Sequence, residues 1–173
     1  MKRKGKIPRF KQQRRLLTEL PGLGKAGAME RKPYPPGQHG GKRIKYSDHR
    51  LQLEEKQKIR VHYGLREKQL DRFVKKAKAK AQGKWIDTLI NLLELRLDNL
   101  VFRAGFAPSI PAAKQLISHN KIQVNGKKAN IRSIVLKVGD RIELKASAVN
   151  GITYQQAKLS PRLPCPDWIE KSE

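Results

Sequence analysis

The hydrophobic pattern divides the chain unevenly. Over residues 1–46 apolar positions recur poorly beyond Leu16, Leu17 and Leu20, and proline and glycine punctuate the stretch at Pro21-Gly22, Pro33, Pro35-Pro36-Gly37 and Gly40-Gly41. Such a segment buries little by itself, and reads either as a disordered tail or as an arm that a polyanion orders on binding. From Ser47 or Asp48, either of which can cap a helix, a helical pattern runs to about Gly64, with Glu54 and Lys58 spaced as an i,i+4 ion pair. A second helix is predicted from about Arg66. Its inward face is Leu70, Phe73, Val74, Ala77 and Ala81, and its outward face carries Arg72, Lys75, Lys76 and Lys80. After the break at Gly83-Lys84, the leucine-dense stretch Trp85 to Phe106 predicts a core helix or helix pair closed by Gly105. Ser109 caps a further helix with Pro111 in its first turn, where a missing N–H costs little, and His119-Asn120 ends it.

The period then changes from helical to alternating. Ile122-Gln123-Val124 alternates and Asn125-Gly126 is a strong hairpin-turn signal. Further strands are predicted around Ile131–Leu136 and Arg141–Leu144, about the turn Val138-Gly139-Asp140. Residues 87–146 thus read as one compact α+β module: helices followed by three or four short strands. The proline-bearing tail Leu159–Glu173 reads as an irregular strap with Trp168 as its aromatic anchor.

Charge changes the picture from fold to partner. The 173 residues carry 39 Lys+Arg against 15 Asp+Glu, a formal net charge of +24, which repels itself in a compact state and points to a polyanion. The load is graded: 15 cations against three acids in residues 1–50, but three against three in 151–173. No lipidation signal or bulky-anchored amphipathic helix argues for a membrane surface, and there is no apolar run of transmembrane length. A single cysteine, Cys165, rules out an internal disulfide and a Cys-based zinc site, and His39, His49, His62 and His119 show no metal spacing.

Gly22-Leu23-Gly24-Lys25-Ala26-Gly27 matches G-x-G-x-x-G, but neither a strand before it nor a helix after it supports a dinucleotide site. A basic glycine loop lying close to RNA phosphates is the better reading. No G-x-S-x-G elbow and no paired-carboxylate arrangement stands out, so the sequence offers no catalytic constellation. Basic clusters (Lys2-Arg3-Lys4-Gly5-Lys6, Arg14-Arg15, Lys42-Arg43, Lys75-Lys76) alternate with Tyr34, His39, Tyr46 and His62, planar groups able to stack on bases. Without a zipper or zinc finger for groove reading, irregular folded RNA suits the chain better than DNA.

Three segments, taken in order, resemble one family. They are Arg31-Lys32-Pro33-Tyr34-Pro35-Pro36-Gly37-Gln38-His39-Gly40; Leu53-Glu54-Glu55-Lys56-Gln57-Lys58 with His62-Tyr63-Gly64-Leu65; and Arg96-Leu97-Asp98-Asn99-Leu100-Val101-Phe102-Arg103 followed by Ala112 to His119 and Ile122-Gln123-Val124-Asn125-Gly126. Together they are similar to the small-subunit ribosomal protein S-four family, of the zinc-free bacterial or cyanobacterial-plastid type. The resemblance implies an α+β fold: a helical, basic N-terminal domain with an inserted S-four-type RNA-binding module, helices packed on a small antiparallel sheet. It implies a basic arm and helical domain over 1–93, the RNA-binding domain over 94–156, and a strap over 157–173 returning to the first domain. The family's pattern runs on past the Trp168-Ile169-Glu170 position, whereas this sequence ends at Glu173.

The implied function is structural: binding the 5′ domain of small-subunit ribosomal RNA early in assembly, beside neighbouring small-subunit proteins such as S-five, on ribosomes of a bacterial cytoplasm or plastid stroma. No enzyme activity and no cofactor is expected. The expected RNA-facing residues are Arg14, Arg15, Gln38, His39, Lys42, Arg43, Arg60, Arg96, Arg103, Gln115, Ser118, His119, Lys121 and Lys127. Two rivals share the module: an RNA-modifying enzyme, which would need a catalytic domain that about 90 basic N-terminal residues do not supply, and a non-ribosomal RNA-binding paralogue or RNA chaperone.

Overall fold

A computed structural model describes residues 8–24, 26–27, 29–42 and 45–171. Among them the chain forms helices α1 (Arg9–Leu16), α2 (Asp48–His62), α3 (Glu67–Lys80), α4 (Trp85–Glu94), α5 (Leu97–Arg103) and α6 (Ile110–Ser118). Strands β1 (Ile122–Val124), β2 (Lys127–Ala129) and β3 (Ile142–Leu144) follow, then α7 (Ala146–Val149) and α8 (Ile152–Leu159).

The local signals act where they were expected. The Ser47 hydroxyl accepts from the Arg50 N–H at the start of α2, and the Ser109 hydroxyl accepts from the Ala112 N–H at the start of α6. Gly105, at φ +83°, closes α5, with Phe106 N–H returning to the Val101 carbonyl. Asn125 and Gly126, both at positive φ, join β1 to β2 in antiparallel register, Val124 opposite Lys127. β1 is central, with the order β2-β1-β3.

Two larger apolar cores result. α5, α6 and the sheet enclose Leu97, Val101, Ile110, Ile117 and Ile122. The second core joins α3 to α4 through Leu65, Leu70, Ala77, Leu89 and Leu93. α4 therefore packs on α3, not within the strand-bearing module to which its sequence position assigned it. Burying each of the larger side chains contributes about 1.5–3 kcal/mol.

Several expectations need correction. Residues 9–24 are not an unfolded arm: α1 and a 3-10 turn at Pro21–Leu23 place Leu16, Leu20 and Leu23 in a small core against Val61 of α2. Glu54 pairs with Arg50, not Lys58, which instead binds Glu55. Residues 131–136 form no strand; their carbonyls at Arg132 and Ile134 accept from Asp98 and Leu97, and one bridge joins Arg96 to Val135. α7 and α8 were not anticipated. In the tail Trp168 is 53% exposed, while Leu163 and Ile169 pack on the α5–α6 core.

Candidate nucleic-acid interface

The outer face of α3 follows from its period. Leu70 and Ala77 point inward, so Arg72, Lys75, Lys76 and Lys80 point to solvent, and no acid lies within ion-pair distance of them among the described residues. Four cations within nine residues, with no ion-pair partner among the described residues, make a strip suited to phosphates.

A second basic element is the loop after α1. The Arg14 guanidinium donates to the carbonyls of Lys32 (3.2 Å) and Tyr34 (3.0 Å) and lies 5.1 Å from the centre of the Tyr34 ring. The loop beyond it is tightly closed: a Cβ on Gly40 would fall 1.9 Å from the Pro35 carbonyl oxygen. Its tip presents Gln38, His39 and Lys42 to solvent. On the strand-bearing half, Gln115, Ser118 and His119 lie on the outer side of α6, and Lys127 and Lys128 on the exposed edge strand β2.

These faces are held on one frame. The Pro21–Leu23 turn wedges between the end of α2 and the start of α6. A Cβ on Gly22 would meet the His62 carbonyl and Ile110 at 2.8 Å, and one on Gly24, at φ +73°, would meet Ser109 Cβ at 2.3 Å. Gly22 and Gly24 are therefore spacers for close packing. Arg9 and Arg162 donate to the carbonyls of Leu23 and Gly24.

Beside the wedge, Glu94 accepts from the Tyr63 hydroxyl (2.5 Å) and the Asn99 amide (3.0 Å) and faces Arg103 at 3.5 Å. Burial, and then the bond to Glu94, push the Tyr63 hydroxyl well above its ordinary range. Burial lowers His62 below the usual imidazole value. Lys114 donates to the Tyr63 and Gly64 carbonyls and faces Asp98, and burial lowers its pKa.

Measured against this geometry, the expected RNA-facing residues separate. Arg15, Gln38, His39, Lys42, Gln115, Ser118, His119 and Lys127 are exposed. Lys121 is half-buried and donates to Ser147, and Arg60 is half-buried beside Gln57 and Glu67. Arg14 holds its loop. Arg103 turns toward Glu94. Arg96 is a correction: only 3% exposed, it forks onto Asp98 at 3.0 and 2.7 Å and is not presented to a partner. Arg43 and the Lys2–Lys6 cluster lie outside the described residues. His62, taken as a base-stacking group, is packed edge-on against Tyr63 and against Gly22.

Sequence reasoning missed Lys114 as a structural cation. Its position, four residues after Ile110 and three before Ile117, both buried, already placed it on the inward side of α6.

Comparison with known proteins matches the chain to two family models. Residues 2–94 match the family described as ribosomal protein S4/S9 N-terminal domain, and residues 95–142 match the S4 domain. A small ribosomal subunit protein uS4B of Bdellovibrio bacteriovorus is 62% identical over 173 residues, spanning 100% of this chain and 83% of the relative. A uS4 of Methylobacillus flagellatus is 49% identical over 168 residues, 96% of this chain and 81% of the relative. The uS4 of the cyanobacterium Synechococcus elongatus is 51% identical over 138 residues, 80% of this chain and 66% of the relative.

Proposed function

Since the chain belongs to the ribosomal protein S4 family, we propose that it is a structural constituent of the small ribosomal subunit that binds small-subunit ribosomal RNA. The observation that carries this reading is the disposition of charge. Among the described residues, cations without an ion-pair partner lie on α3, at the tip of the Gln38–Lys42 loop and on β2, and the Pro21–Leu23 wedge joins the end of α2 to the start of α6 in one body. Such a body neutralises phosphates on converging RNA helices and holds the helices at a fixed angle. No bond is made or broken, and purified protein leaves RNA covalently unchanged.

In finer terms, the RNA is the 5′ domain, bound early so that the protein nucleates subunit assembly. The contacts are Arg15, Gln38, His39, Lys42, Gln115, Ser118, His119 and Lys127, joined by the α3 strip, with Arg14, Arg60, Arg103 and Lys121 completing contacts from half-buried positions. Arg43 belongs with Lys42 in sequence. Neighbouring small-subunit proteins, S5 among them, flank the site. The bacterial origin of the relatives favours a bacterial cytoplasm over a plastid.

The test is a salt series with small-subunit RNA. If about 6–10 phosphates are contacted, affinity falls by about 10³–10⁵ between about 50 and 200 mM salt. A flat response removes the phosphate mechanism. Co-migration with small subunits through a high-salt wash separates the ribosomal constituent from a free RNA chaperone.

A further inference from the structure

We propose that Lys114 is a positioning residue for RNA binding, whose ammonium group clamps the C-terminal end of α2 to Asp98 and so fixes the angle between the helical half of the molecule and the α6–hairpin surface. The proposal rests on the RNA-binding reading above and specifies how its separate faces are kept in register.

An ammonium carries three N–H bonds and no acceptor. Lys114 Nζ meets three oxygens: the Tyr63 carbonyl at 3.0 Å, the Gly64 carbonyl at 3.1 Å and Asp98 Oδ2 at 3.4 Å. The two carbonyls lie at the C-terminal end of α2, where the helix leaves acceptors without an intrahelical donor and its dipole favours a cation. Gly64 leaves room for this contact: it sits at φ +59°, and a Cβ there would come within 2.6 Å of Nζ. The acid on the other side is equally committed. Asp98 is 1% exposed and also receives the Arg96 guanidinium, which lies 5.5 Å from the centre of the Phe73 ring of α3. One unbroken path of polar and ring contacts therefore runs from α2 through α6 and α5 to α3.

Lys114 is not itself a phosphate ligand. Its side chain is 17% exposed, and its three hydrogens face protein oxygens. The next residue, Gln115, lies on the exposed side of the same helix, with Ser118 and His119. Any rotation of α6 that breaks the Lys114 contacts moves that surface relative to the cations of α3. A loose joint would still bind short RNA at either face. It would lose the advantage of engaging both at once, because a second contact made from a rigid body is already prepaid in orientation.

The experiment uses the full chain as wild type, Lys114→Met and Lys114→Arg. Each is titrated with a full small-subunit RNA transcript and with a single-stranded oligonucleotide too short to reach both faces. Lys114→Met should bind the transcript about ten- to a hundredfold more weakly and the oligonucleotide as wild type does. Lys114→Arg should recover part of the loss, since a guanidinium reaches the same carbonyls. Should Lys114→Met fail to fold, Lys114→Gln is measured with spin labels at Ala79→Cys and Lys128→Cys in a Cys165→Ser background, and the inter-label distance distribution should broaden. The proposal is overturned if the folded Met variant keeps full affinity for the transcript, if both RNAs weaken equally, or if the Gln distribution stays as narrow as wild type. Wild-type protein that binds the transcript no better than the oligonucleotide would instead sink the scaffold reading beneath it.

Discussion

Gly24→Ala separates the two meanings of the glycine run. In a phosphate cradle, the added methyl would obstruct RNA and leave the free protein intact. In the structure the methyl points into protein: its ideal position is 2.3 Å from Ser109 Cβ and 2.7 Å from the Pro108 carbonyl oxygen, far inside contact distance. The backbone adds a second penalty, because φ is +73° and the left-handed region costs a non-glycine residue about 1–2 kcal/mol. Forcing a methyl into a filled site costs a further ~1–3 kcal/mol. The sum, about 2–5 kcal/mol, corresponds to a fall in melting temperature of roughly 4–20 °C for a chain of this length. The assay is thermal and urea unfolding of free protein, with Gly41→Ala as the companion: nothing lies within 4 Å of its Cβ position, so its melting point should stay near wild type. An unchanged melt for Gly24→Ala, accompanied by lost RNA binding, would refute the wedge and restore the cradle.

Other expectations concern pH, the cores and the charge strip. His62 has a folded pKa lowered by burial, so the unfolded chain binds its proton first; stability is full above about pH 6.5 and declines as pH falls below it. Urea midpoints between pH 7 and 5 should show this decline, and His62→Gln should remove it; the opposite slope would contradict the buried neutral ring. Leu93→Ala and Ile117→Ala, at sites 1% and 0% exposed, should each cost about 2–5 kcal/mol by chemical denaturation. Leu159→Ala, at a site 84% exposed, should cost almost nothing, and comparable losses at all three would discredit the assigned cores. Replacing Lys75 and Lys76 together by Gln should weaken RNA binding and shallow its salt slope by about two. Arg60→Gln, whose charge already faces Glu67 at 3.6 Å, should change the slope less.

What the sequence made legible was local. A serine two or three residues ahead of an N–H, a glycine after a last helical turn, and Asn-Gly between alternating residues each act on immediate neighbours, and Ser47, Ser109, Gly105 and Asn125-Gly126 behave as read. The errors share the opposite property. Gly22 and Gly24 are explained by His62, Ile110 and Ser109, which lie 40 to 88 positions later in the chain. Arg96 is buried because Asp98 and Phe73 receive it, and nothing in a run of cations announces which one is committed inward. α1 offered only Leu16 to a core completed by Leu20, Leu23 and Val61, too little periodicity to register alone. In the irregular tail no period decides between adjacent apolar residues, and Leu163 and Ile169, not the aromatic Trp168, pack on the core.

The charge pattern also follows from how the acids are used. A chain with 39 cations and 15 acids cannot neutralise itself, so where each acid sits decides which cations remain available. Among the described residues, Glu54, Glu55 and Glu67 engage cations of α2, and Glu94 and Asp98 engage Arg103, Arg96 and Lys114 at the joint between the two cores. The buried pairs contribute geometry more than net stability, since desolvation offsets most of their attraction; the surface pairs on α2 contribute little individually. Their common effect is to draw positive charge out of the joint and off α2, where repulsion would open the wedge. The α3 strip and β2 receive no such partner. The surplus charge is thus placed where an external polyanion can balance it, while at the joint that sets the spacing between those surfaces each cation named faces an acid.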